Sequence, residues 1–134
     1  MNVSLLLKLC YVDAGFRIDS EIAMDHFLNP FNKRPLIGAD RIGVVGNPGM
    51  GPFFILYLQD EGSVISEACF ECNGCGATIA CGSMLTTMLE NRSIEYGMQL
   101  CEGDLDHALG GLPPDKRHSL IMAIKALQNA LAER

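Results

Sequence analysis

The 134-residue chain has no tryptophan, and aromatic residues make up only 7% of it. Nowhere does an apolar run approach the roughly 18–20 residues a membrane-spanning helix needs, so no membrane span is expected. Positive charge is also short: ten Lys and Arg stand against sixteen Asp and Glu, for a formal net charge of −6. The basic residues are scattered, with no run longer than Lys-Arg. A phosphate-backbone binder needs a concentrated positive face, so nucleic acid is not an expected partner. There is no internal repeat and no linker. At 49% hydrophobic and 19% charged residues the composition is that of a globular chain, long enough for one compact domain.

The opening "MNVSLLLKLCYVDAG" faintly resembles a signal peptide. It lacks a basic leading region and a small-x-small cleavage site, and Lys8 interrupts its apolar run. Residues 1–19 are therefore expected to form an N-terminal extension, an extra strand or short packing segment, ahead of a domain over 20–134. A cytoplasmic setting is expected. Thiols stay reduced there, and clustered cysteines point to metal or catalytic chemistry rather than disulfides.

The patterning that is present places strands first and helices second. Ser20 can cap a short helix, "EIAMDHFL", ending before Asn29-Pro30. "RIGVVG" (41–46) reads as a strand, "NPGMGP" (47–52) as a turn, and "FFILYLQ" (53–59), apolar on both faces, as a central strand. "DEGS" (60–63) is hairpin chemistry leading into "VISEACFEC" (64–72). Regular alternation there puts Val64, Ser66, Ala68, Phe70 and Cys72 on one face, and Ile65, Glu67, Cys69 and Glu71 on the other. After Gly74 the period becomes helical, with Ala77, Ala80, Cys81, Met84, Leu85 and Met88 on one stripe. Ser93 is expected to cap "IEYGMQL", and Asp104 to cap "LDHALG". The last helix opens in "GLPPDKRH" and carries a seam of Leu120, Ile121, Ile124, Leu127 and Leu131. The expected class is α+β: a three-stranded antiparallel sheet with helices packed on one face.

Four of the six cysteines fall between positions 69 and 81. Cys69 and Cys72 are three apart on one strand, so their side chains leave opposite faces and Cys69 is given a structural or surface role. Cys72 ends the strand, Asn73-Gly74 turns the chain, and Cys75 starts the helix. Two cysteines flanking such a turn make a common metal knuckle. A helix N-terminus also lowers a thiol pKa, which makes Cys75 the expected thiolate. Cys81, Cys10 and Cys101 read as buried packing, because free cysteine is among the most buried residue types. His118 stands where a ligand could face a cleft, although composition alone favours a solvated His beside Lys116 and Arg117. His26 and His107 receive no role. "CNGC" also fits a dithiol enzyme, but no βαβ context precedes it. With no hydrolase triad and no phosphate loop, the chain does not read as an enzyme.

The stretches "DHFLNPFN" (25–32), "VGNPGMG" (45–51), "FECNGCGATIACGS" (70–83), "SIEYG" (93–97) and "LPPDKRHS" (112–119) together resemble the NifU/IscU-type iron–sulfur cluster scaffold family. The resemblance implies a three-stranded sheet covered by helices and a cluster or iron held at one exposed end. It implies ligands from three loops, at the positions of Met50 and Pro52, of Cys75, and of His118 and Ser119. The family usually has Cys and Asp at the first two positions and Cys at the last. Here Cys75 and His118 remain, while Met50, Pro52 and Ser119 replace the others. Cys72 is an added thiol beside them, so the candidate ligand set is Cys72, Cys75 and His118. Thiolates are the main ligands of iron–sulfur clusters, with His an occasional replacement. Zinc, which accepts mixed Cys and His ligands, is the alternative metal, and a metal-free interaction module of the same fold is the alternative function. Implied partners are a cysteine desulfurase and an Hsp70-type chaperone, the latter reading the "LPPDK" segment with Asp115 where an apolar residue is usual. A homo-oligomer is compatible with all of these.

Overall fold

The structure, a computed structural model, describes residues 20–132. The extension expected over 1–19, and Cys10 within it, lie outside the described residues. The first helix of the described residues, α1 (Glu21–Leu28), is capped by Ser20, whose hydroxyl accepts from the Ala23 N–H. Three antiparallel strands follow in the spatial order β1 (Arg41–Gly46), β2 (Phe53–Glu61), β3 (Val64–Asn73). The apolar β2 is the central strand, as expected. Four further helices complete the chain: α2 (Gly76–Leu89), α3 (Ile94–Gln99), α4 (Glu102–Ala108) and α5 (Arg117–Leu131). A single 3-10 turn, Pro114–Lys116, leads into α5.

One face of the sheet packs against α2 and α5, and α1 lies against α2. Phe54, Leu56 and Leu58 of β2 point into this layer with Phe70, Leu85, Leu120 and Leu127. On the other face, Ile42 and Val44 of β1 are exposed. Two glycines set how closely the layers approach. A Cβ at Gly43 would stand 1.9 Å from the Ala126 carbonyl oxygen of α5, and one at Gly82 would stand 2.3 Å from the Phe70 ring. These contacts hold the middle of α2 and the C-terminal half of α5 close on the sheet, and the N-terminal ends of the same two helices carry Cys75 and His118.

The third strand departs from the expected alternation. Gln59 pairs with Glu67 and Asp60 with Ile65, so Ser66 is an extra residue in a β-bulge. Its hydroxyl donates to the Gln59 carbonyl at 3.1 Å. The bulge moves Ile65 to the buried side with Ala68 and Phe70, and leaves Val64 exposed. Cys69 keeps the opposite face yet is fully buried. The chain at 32–34 runs alongside β3, where Phe70 N–H donates to the Asn32 carbonyl at 2.9 Å.

Three helical expectations also change. Asp104 sits at the third helical position of α4, not at its cap. Its carboxylate accepts from the Cys101 N–H at 3.0 Å and the Cys101 thiol at 3.3 Å. Cys101 is thus the capping residue and is exposed rather than packed in the core. Ile121 is also exposed, because α5 turns Leu120, Ala123, Ile124 and Leu127 inward instead. In α2 the buried face is wider than the expected stripe: it includes Thr78, Ser83 and Thr86, while Met84 and Met88 are only half-buried. Covering α2 with both the sheet and α1 buries these hydroxyls, and hydrogen bonds satisfy them.

Candidate functional site

Cys75 is the N-cap residue of α2, in extended backbone at φ −81° and ψ 173°. Its carbonyl accepts from Thr78 and Ile79 N–H, which closes the first turn. The side chain makes no capping bond and is left for other partners. His118 lies in the first turn of α5, just after the 3-10 turn that the prolines start. The two meet across 43 residues of sequence: Cys75 Sγ is 3.7 Å from His118 Nε2. Ser119, next along α5, places its Oγ 3.5 Å from the same sulfur. Thr78 places its Oγ1 3.6 Å from the sulfur and 2.9 Å from the Ser119 hydroxyl.

Two environments meet at this sulfur. His118 is exposed, whereas Ser119 and Thr78 are buried. Burial alone would push the Cys75 thiol up. The polar groups of Ser119, Thr78 and His118 around the sulfur outweigh it and hold the thiol at about 6. Cys75 is therefore largely thiolate near neutral pH, the form that binds metals and attacks electrophiles.

Cys72 behaves differently. It lies on β3 opposite Phe54 of β2 and packs half-buried against the core. Burial pushes its thiol up to about 11, against the pull of the Lys33 ammonium. Among the described residues, no three His, Cys, Asp or Glu side chains stand together so as to hold one ion. The structure thus unites Cys75 with His118 but does not gather Cys72 with them into a three-ligand group. The turn carrying Met50 and Pro52 lies alongside, tied by a hydrogen bond from Asn73 Nδ2 to the Gly51 carbonyl at 3.3 Å. Met50 is 80% exposed there. Cys81 is buried in the core, as expected, and its thiol is pushed far up by that burial. His26 holds the Ser83 hydroxyl at 2.7 Å, which also accepts from the Phe31 N–H at 2.8 Å, so it braces α1 against α2. Thr78 had not been singled out in the sequence. Its signal was only a hydroxyl three residues after Cys75, one helical turn on.

Groups that share one metal lie about 3–4.5 Å apart, given ligand bonds of about 2.0–2.3 Å. The spacing of Cys75 and His118 meets that condition. The fold and site thus define a small α+β domain that presents a thiolate–imidazole pair where a strand turns into a helix. The chain belongs to the NifU-like N-terminal domain family, whose model matches residues 18–133. It is 38% identical over 116 residues to an iron–sulfur cluster assembly scaffold protein, IscU, of Aquifex aeolicus (strain VF5), covering 85% of this chain and 74% of that one. It is 37% identical to a nitrogen fixation protein, NifU, of Azotobacter chroococcum mcd 1, covering 84% of this chain and 37% of that longer protein. A solved candidate scaffold protein for the SUF system of Fervidobacterium islandicum AW-1 shares the fold, with a TM-score of 0.67 at 18% identity over 84% of this chain and 95% of that one.

Proposed function

We propose that this chain is an iron–sulfur cluster assembly scaffold or carrier that receives iron or a cluster as cargo at Cys75 and His118. The observation that carries the proposal is the 3.7 Å approach of Cys75 Sγ to His118 Nε2 in a chain of this family. Relatives named as scaffolds support the same process. Thiolate and imidazole are both accepted iron–sulfur ligands. The chain supplies two ligands at this spacing. The other positions on iron fall to sulfide, to Cys72 after a shift that also deprotonates it, or to a group from another molecule.

The role is binding and transfer rather than turnover, in a cytoplasmic setting. A cysteine desulfurase is the proposed sulfur source, and the partly exposed Leu112-Pro113-Pro114 segment is the proposed chaperone contact. Anaerobic reconstitution with ferrous iron and sulfide tests the reading. The wild type should turn brown and retain iron with acid-labile sulfide, and C75A should retain neither. A colourless wild type without iron would contradict it, and zinc bound without sulfide would make this a zinc site instead.

A further inference from the structure

Ser119 stands one residue from His118, where a metal ligand would be looked for. Its surroundings give it another task. The hydroxyl is fully buried and bonded to Thr78 Oγ1 at 2.9 Å, while the neighbouring imidazole is exposed. Iron arriving from solvent meets the sulfur on the His118 side, and Ser119 and Thr78 occupy its buried side. Cys75 Sγ, Ser119 Oγ and Thr78 Oγ1 form a triangle with edges of 3.5, 3.6 and 2.9 Å. A metal-bound sulfur carries no proton, so only two hydroxyl protons serve the three edges. Two assignments end on the sulfur, and the one its shorter edge favours has Thr78 donate to Ser119 and Ser119 donate to Cys75. A metal-bound alkoxide at Ser119 would first have to lose the proton that makes its bond to sulfur.

We infer that Ser119 and Thr78 are positioning residues, a buried hydroxyl relay that donates to the Cys75 sulfur, and that Ser119 does not ligate the cargo. Gly74 keeps room for this relay: a Cβ there would press to 2.8 Å on Thr78 Oγ1. The inference deepens the scaffold reading and rests on it for the loaded protein, while its metal-free test does not. Hydrogen bonds to cluster sulfurs stabilise the reduced state and raise the reduction potential.

The test compares wild type, S119A, T78V and T78S, each checked for wild-type circular dichroism. After anaerobic reconstitution, S119A and T78V should keep wild-type iron and sulfide per chain but show a more negative potential. The shift should be larger in S119A, and T78S, which keeps the hydroxyl, should match the wild type. Loss of iron from S119A would make Ser119 a ligand and overturn the inference, and so would an unchanged potential in S119A. In the metal-free proteins, alkylation of Cys75 is followed to its alkaline plateau, where the thiolate is complete. Removing a donor makes a thiolate more nucleophilic, so the plateau rate should rise about threefold in S119A and less in T78V. An unchanged plateau overturns the inference. A wild type that takes up no iron defeats the scaffold reading instead and leaves this second arm to decide.

Discussion

Cys72 and Cys75 are three residues apart, yet their thiols are driven in opposite directions. Cys72 is pushed up to about 11 by burial against the core. Cys75 is also disfavoured by burial, but its contacts with Ser119, Thr78 and His118 bring it down to about 6 from an ordinary 9.0. Iodoacetamide at pH 7 should therefore modify Cys75 and spare Cys72, with a Cys75 pH profile centred near 6, as peptide mass mapping would read. A profile centred near 9 would contradict the hydrogen-bonded site. The depressed value also bears on stability. A group ionising more easily when folded contributes stability above its unfolded value, and that contribution is lost as pH falls through the folded one. Between pH 9 and 6 the wild type should thus lose stability relative to C75A, as denaturant melts would show. At this scale Cys75 was legible in the sequence, because it stands at a helix start, where backbone N–H groups favour a thiolate. The Ser119–Thr78 pair was not, because its two hydroxyls are 41 residues apart and only the fold joins them.

Elements were read well where one local rule decides them. Ser20 and Ser93 cap helices as their side chains predict, and the hairpin turns at Gly62-Ser63. The alternation of β3 failed at Ser66, because a bulge is set by the partner strand rather than by its own residues. Asp104 failed as a cap by three positions, since its carboxylate reaches back to Cys101 in a capping box. The close helix–sheet approaches at Gly43 and Gly82 had no sequence signature beyond glycine itself. They give a sharp test. G82A drives a methyl into the Phe70 ring and should cost about 1–3 kcal/mol, a fall in Tm on the order of 10 °C by calorimetry. An unchanged Tm would mean that α2 does not sit so tightly on the sheet. G43A meets the backbone of Ala126 rather than a movable side chain, so it should destabilise at least as much.

For the molecule as a whole, the sheet is a platform that brings two helix starts and one tight turn to the same end. The helices covering one face, their order and the central place of β2 could all be read from patterning, because apolar periods report burial directly. Among the described residues no helix is long and apolar enough to cross a membrane. The meeting of Cys75 with His118 was expected only through resemblance to a family, since no local rule joins a strand-to-helix turn with a distant α5. Its energetic logic is now plain: α2 and α5 each pack on the sheet, and their shared support fixes the 3.7 Å approach. The most direct test is iron-edge X-ray absorption on the anaerobically loaded wild type, with H118A and C75A beside it. The expected result is a mixed sulfur and nitrogen shell in the wild type, loss of the nitrogen in H118A, and no bound iron in C75A. Iron held equally well, with the same spectrum, in wild type and C75A would contradict the account.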